Sequence, residues 1–253
     1  MKKLKKFIIL FLILILVFTI YILNIDRKIY YVALGDSLAA GQNPYNQIGY
    51  GYSDYVNNYL QENELLQHYT KDFAESGYRI TDIEKDINEN KKITINGEEQ
   101  GIKEVLRKAD LLTLSIGAND IFYKLGITNV SNIDLNEITS LNSYINETLK
   151  DLDKLVTDIQ KYFKKDMILV GYYNPLAATS SEYCRELEPL FTQVNMGMKK
   201  IAQKHNIHFV EIYEIFKENP EYLPNPNDIH PSNSGYQVIA SSIIDIIEQN
   251  IIK

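Results

Sequence analysis

Three short apolar runs, each stopped by a glycine, constrain the fold of this chain more than any other feature. Tyr30-Tyr31-Val32-Ala33-Leu34 ends at Gly35, Leu111-Leu112-Thr113-Leu114-Ser115-Ile116 at Gly117, and Met167-Ile168-Leu169-Val170 at Gly171. Runs this short and this apolar, each followed by a residue free to turn, read as buried strands. Between them lie stretches of helical spacing. In residues 53–61 Tyr55, Val56, Tyr59 and Leu60 share a face, and around residues 81–87 Ile80, Ile83 and Ile87 fall in register. In residues 141–163 Leu149, Leu152, Leu155, Val156 and Ile159 form one stripe. Residues 184–205 and 234–247 read as further helices, 68–73 as a weak strand, 207–212 as the last strand, and 93–97 as a small turn or hairpin. Residues 39–52 read as a loop and 121–138 as irregular. Such alternation implies βαβ crossovers and a mostly parallel sheet, hence an α/β fold. With no repeat or linker to divide them, residues 29–253 read as one domain.

Ahead of this alternation, Lys2, Lys3, Lys5 and Lys6 precede an uncharged apolar run over residues 7–23. At about 1.5 Å per residue, a helix of that length nearly spans the ~30 Å hydrocarbon core of a bilayer. No small-x-small cleavage site follows at Ile22-Leu23-Asn24-Ile25-Asp26, and no cysteine follows to accept a lipid. Residues 1–28 are therefore expected to form an uncleaved signal anchor, a membrane-spanning helix; the alternative is a cleaved signal that leaves a secreted protein. The lysine flank stays cytoplasmic by the positive-inside rule, which puts the remaining chain outside the cell. A net charge of −7 argues against nucleic acid as a partner. The single cysteine, Cys184, allows neither an intrachain disulfide nor a cysteine-ligated zinc site.

Open parallel sheets bind ligands at the carboxyl ends of their strands. Three polar loops here follow expected strands: Asp36-Ser37, Ser76-Gly77 and Gly117-Ala118-Asn119-Asp120. A fourth polar cluster, Asp228-Ile229-His230-Pro231-Ser232, precedes the terminal helix. Asp-Ser after a strand is also ordinary turn and helix-cap chemistry. Acyl transfer, however, needs a nucleophile, a base and donors for the developing oxyanion, and each part has an occupant. Ser37 would attack and His230 would take its proton. The N–H groups of Ser37 and Gly77, with the Asn119 amide, would form the oxyanion hole. His230 lies in a Pro- and Asn-rich segment rather than on an apolar face, and Ser232 or Ser234 would cap the terminal helix better. Asp36 and Asp120 are expected to organise loops, and His68, His205 and His208 to be structural or surface residues. Tyr45, Tyr50, Tyr52 and Tyr55 would either line an acyl or sugar cleft or simply reflect a chain with 19 tyrosines and no tryptophan.

Together these four blocks resemble the SGNH hydrolases of the GDSL lipase/esterase family, in the expected order and across nearly the whole domain. The resemblance implies a three-layer sandwich around a five-stranded parallel sheet of flavodoxin-like order 2-1-3-4-5, and the roles given above for Ser37, Gly77, Asn119 and His230. One departure concerns the carboxylate. The family usually places it three residues before the histidine, which here is Asn227, whereas the aspartate is Asp228. Either Asp228 reaches the imidazole or a backbone carbonyl orients it and leaves a Ser–His dyad. Asp72 stands where the family often has Asn at the start of its second block.

The expected function is hydrolysis of carboxylic esters through an acyl-Ser37 intermediate, without metal or organic cofactor. Two alternatives are a metal-dependent phosphoesterase using Asp36, Asn119, Asp120, Asp228 and His230, and a catalytically silent surface-binding domain. The acyl donor stays open among lipid esters, thioesters, acetylated glycans and small esters, as does the oligomeric state. The outward location leans toward lipid or cell-envelope esters.

Overall fold

The structure, a computed structural model, describes residues 11–15, 28–126, 138–175 and 182–252. Strand β1 (Ile29–Gly35) is buried along its whole length. Its residues alternate between two cores: Tyr30, Val32 and Leu34 enter one, Tyr31 and Ala33 the other. A strand covered on both faces has no polar side to alternate with, which is why this run reads as continuously apolar. The same holds for β5 (Leu111–Ser115) and most of β6 (Asp166–Val170).

With β2 (Leu66–Ala74) and β7 (His208–Val210), these strands form a five-stranded parallel sheet in the order β2-β1-β5-β6-β7. Strands β3 (Lys92–Ile95) and β4 (Glu98–Gly101) form a separate antiparallel hairpin. The expected order 2-1-3-4-5 is therefore met only when the hairpin strands are left out of the count.

Helices α1 (Ser37–Ala40), α2 (Tyr52–Glu62), α3 (Ile80–Glu89) and α4 (Ile102–Lys108) precede β5. After β5 come α5 (Ala118–Lys124), α6 (Ile138–Ile159), α7 (Glu182–His205), α8 (Tyr213–Glu218) and α9 (Asn233–Ile246). Helices α3, α4, α6 and α7 pack on one face of the sheet, and α2, α8 and α9 on the other. A three-layer α/β sandwich results.

One expectation needs correction: the stretch from residue 121, expected to be irregular, carries α5 as far as Lys124, and residues 127–137 lie outside the described residues. The expected membrane helix, residues 1–28, also lies almost wholly outside them; residues 11–15 are helical, and among the described residues no helix is long and apolar enough to cross a membrane.

Gly35 fixes the join between sheet and site. Its φ is +144°, and a Cβ there would collide with the Ser115 carbonyl oxygen of the neighbouring strand. Gly35→Ala is expected to cost about 2–4 kcal/mol of unfolding free energy in denaturant titration, because strain and a backbone clash add. A loss under about 0.5 kcal/mol would show that β1 and β5 separate easily at this point.

Candidate active site

Beyond Gly35 the chain turns over the sheet edge, and the Asp36 N–H donates to the Ser115 carbonyl at 2.9 Å. The Asp36 carboxylate caps α1 by accepting from the Leu38 N–H (3.0 Å), and it accepts from Ser115 Oγ at 3.1 Å. The cap and the candidate nucleophile are thus different residues: Asp36 satisfies the helix, and Ser37 Oγ is left to meet His230. The distance from Ser37 Oγ to His230 Nε2 is 2.7 Å.

His230 arrives from the opposite end of the chain, just before α9. Two turns hold its segment. The Asp228 N–H donates to the Asn225 carbonyl (3.1 Å) and the Asn227 N–H to Asn225 Oδ1 (3.1 Å). Asp228 then forms an Asx turn of its own, with Oδ1 accepting from the His230 N–H at 2.8 Å and lying 2.7 Å from His230 Nδ1. A spacing of two residues therefore suffices, because the turn that satisfies the backbone also delivers the carboxylate to the ring. Asn227, at the family's usual position, is exposed. Ser232 caps α9 by accepting from the Gly235 N–H, so His230 is not needed as a cap. Tyr173 Oη donates to the Ile229 carbonyl (2.6 Å), and Asn225 Nδ2 to the Pro44 carbonyl (2.8 Å).

The expected oxyanion donors meet at the same edge. β2 pairs with β1 up to Ala74 opposite Gly35, so Gly77 follows in the adjacent loop, at φ +83°. Among the described residues the N–H groups of Ser37 and Gly77 donate to no partner. Asn119, on the first turn of α5, donates one amide hydrogen to the Tyr78 carbonyl at 2.9 Å, which ties α5 to the Gly77 loop and leaves the second hydrogen available. Asp120 accepts from the Ile80 N–H at 3.1 Å, a loop-organising bond as expected.

Ser37, Asn119 and His230 border a cleft of about 1020 Å³ including its mouth; Gly77 is not among its lining residues. Its walls are Ile121, Phe122 and Leu125 beside Asn119, Leu141 and Ile145 on α6, and Leu190, Phe191 and Val194 on α7. None of the four tyrosines considered from sequence lines it. Tyr45 and Tyr50 are exposed, Tyr52 is fully buried, and Tyr55 is half-buried with its ring edge-on to Tyr50. Apart from Leu141, which marks the start of the expected long helix, the apolar wall was missed. Its only trace in the sequence is helical spacing at residues 118, 121, 122 and 125. Gln42 was missed as well; buried at the site, its Nε2 lies 3.4 Å from His230 Nδ1 and its carbonyl accepts from Tyr236 Oη. Among the described residues no three His, Cys, Asp or Glu side chains are grouped to hold a metal ion.

Burial dominates the electrostatics. It holds the His230 imidazole below its ordinary 6.5, against the opposing pull of Asp228. It pushes Asp36 up to about 7 and Asp120 up to about 6, with the hydrogen bonds each accepts working the other way. An imidazole neutral at pH 7, with a hydroxyl on one nitrogen and a carboxylate on the other, can take a proton from that hydroxyl.

A model of the GDSL-like lipase/acylhydrolase family matches residues 33–238. The uncharacterized protein YpmR of Bacillus subtilis (strain 168) is 25% identical over 222 residues, which cover 86% of this chain and 80% of that protein. Among solved structures, the acetylxylan esterase Axe2 of Geobacillus stearothermophilus aligns with a TM-score of 0.61 at 22% identity, over 88% of this chain and 95% of that one. Its structures include catalytic mutants in which a serine, an aspartate or a histidine is replaced by alanine. The lipase Lip_vut3, from a goat rumen metagenome, aligns with a TM-score of 0.65 at 21% identity, over 86% of this chain and 97% of that one.

The Asp36 shift makes a stability prediction. Its folded value of about 7 lies above the ordinary 3.8, so the folded state holds the proton longer than the unfolded chain does. Stability from this group is present below pH 4, falls as pH rises toward 7, and stays low above it, by at most about 4 kcal/mol. Asp36→Asn keeps the acceptor for Leu38 but cannot ionise. Relative to wild type, its melting temperature should gain between pH 4 and 8. Parallel profiles would show that the carboxyl is not held neutral by burial.

Proposed function

The chain belongs to the GDSL-like lipase/acylhydrolase family, and from that premise we propose that it is a serine esterase anchored at the outer face of a membrane. The observation that carries the mechanism is the relay beside the cleft, with Ser37 Oγ 2.7 Å from His230 Nε2 and His230 Nδ1 2.7 Å from Asp228 Oδ1. Serine, aspartate and histidine are also the residue types replaced in the catalytic mutants of Axe2.

In this reading Ser37 Oγ attacks the acyl carbonyl while its proton passes to His230 Nε2. Asp228 holds Nδ1–H, fixing the tautomer and stabilising the imidazolium. The carbonyl oxygen becomes an oxyanion that accepts from the Ser37 N–H, the Gly77 N–H and the second amide hydrogen of Asn119. Collapse expels the alcohol, which takes the proton from His230. Water then enters and gives a proton to the same nitrogen as its oxygen bonds to the acyl carbon; collapse breaks the acyl–Oγ bond, His230 returns the proton to Ser37 Oγ, and the acid leaves. The ester's alcohol and acid are the two products, and no electron leaves the system.

The membrane part of the proposal rests on sequence: the lysine-flanked apolar run places residues 1–28 as a single-pass anchor, with residues 29–253 as the hydrolase domain outside. Full-length protein should sediment with membranes and be accessible to protease added outside whole cells; recovery in the soluble fraction would refute the anchor.

Fluorophosphonate labelling tests the chemistry. Wild type should label and Ser37→Ala should not, with ester turnover lost by about 10³-fold or more. Equal labelling of the two would end the serine mechanism. Asp228→Asn should lower kcat by about 10²- to 10⁴-fold, whereas a dyad would leave it nearly unchanged. Asn119→Ala should lower kcat by about 10²- to 10³-fold with little change in KM.

Because His230 must be neutral to act, kcat/KM should rise with pH through a value below 6.5 and be flat from there to pH 8. A rise centred above 7 would mean that the Asp228 charge outweighs burial.

A further inference from the structure

We infer that the ester this site prefers carries a straight acyl chain of medium length, laid along α5 in the cleft, rather than an acetyl group. The inference rests on the serine esterase reading and adds the substrate class to it.

Helix α5 starts one residue after Gly117, and its first turn carries Asn119 at the point where the acyl carbonyl would sit. Ala118, Ile121, Phe122 and Leu125 all line the cleft. Their spacing of three, four and seven residues from Ala118 makes one stripe that runs along the helix axis away from the reaction centre. Seven residues of helix advance about 10 Å. The facing wall is supplied by Ile145, Leu190 and Val194, all buried. An extended chain of single bonds advances about 1.2 Å per bond, as judged from three-bond residues of extended polypeptide. The stripe therefore accommodates roughly eight carbons.

Among the described residues that line the cleft, every polar side chain belongs to the reacting end or is already bonded. Asp36 and Ser115 are bonded to each other, and Ser37, Asn119 and His230 have the roles already given. The two tyrosine hydroxyls at the cleft are committed to main-chain carbonyls, Tyr172 Oη to Ile116 (2.8 Å) and Tyr173 Oη to Ile229 (2.6 Å). Sugar hydroxyls placed against this wall would give up water and gain no partner among the described residues. A methylene placed there gains about fourfold, the free energy of leaving water. An acetyl ester would leave the stripe wet.

The test is kcat/KM of the full-length protein on p-nitrophenyl esters from acetyl to palmitoyl, and on acetylated xylo-oligosaccharide. The expected profile climbs about two- to fourfold per methylene, peaks near octanoyl, and exceeds acetyl there by at least about sixtyfold. Leu125→Trp and Val194→Phe should each move the peak to shorter chains by two carbons or more. The comparison is made across esters within one variant, so partial misfolding lowers all rates together and leaves the profile unmoved. Protein that labels at Ser37 but turns over acetyl esters or the acetylated glycan best, or shows a flat profile, overturns the inference and leaves the esterase reading standing. A peak that neither variant shifts overturns the assignment of the chain to α5. Protein that neither labels nor turns over any ester removes both.

Discussion

Everything at the site hangs on the parallel contact between the carboxyl ends of β1 and β5. Gly35 lies opposite Ser115 there, so close that a side chain on Gly35 would meet the Ser115 carbonyl. The same carbonyl accepts from the Asp36 N–H, and Ser115 Oγ donates to the Asp36 carboxylate. These bonds fix the angle at which the chain leaves β1, and hence where Ser37 Oγ stands. The two loops that follow these strands carry Ser37 on one side and Asn119 on the other. This is the point where neighbouring strands send their connections apart, so a crevice opens there without being carved. Burial of Asp36 against that junction costs the carboxyl its ready ionisation. The stability lost to that cost is exchanged for a rigid support under the serine.

The buried strands and the four polar blocks were legible in the sequence for physical reasons. A strand covered on both faces must be apolar throughout, and a chain that turns sharply over a sheet edge needs glycine or a short polar residue. Short elements were harder to see. Helices α4, α5 and α8 are each seven residues or fewer and hold their shape through packing rather than propensity. In α5 the opening residues Asn119 and Asp120 read as a loop because their side chains bond to backbone; here they bond to the Tyr78 carbonyl and the Ile80 N–H, outside the helix. For the tyrosines at residues 45–55 the sequence leaves two readings open, and the structure favours composition over a cleft: Tyr52 turns inward while Tyr45 and Tyr50 face solvent. Local composition does not say which way a loop presents its side chains.

The carboxylate question shows how a family rule and its physical basis separate. What the imidazole needs is an acceptor at Nδ1, held still. A residue three positions back can provide that, and so can one two positions back if its carboxylate also satisfies the intervening backbone. Asp228 does the second, at 2.8 Å to the His230 N–H and 2.7 Å to the ring nitrogen. The exposed Asn227 takes part in the preceding turn, its N–H donating to Asn225 Oδ1.

Ser37 and His230 are 193 residues apart along the chain, and they touch. A contact of that separation closes nearly the whole chain into one loop and forms late, after the local helices and the first strand pairs. During synthesis the serine, its supporting strand junction and the loops of Gly77 and Asn119 all emerge and can pack well before the histidine does. His230 follows Ser37 by 193 residues, so the serine stays without the imidazole it meets while most of the domain is made. A chain stalled anywhere between the two carries the serine and its strand junction but not the Ser37–His230 contact.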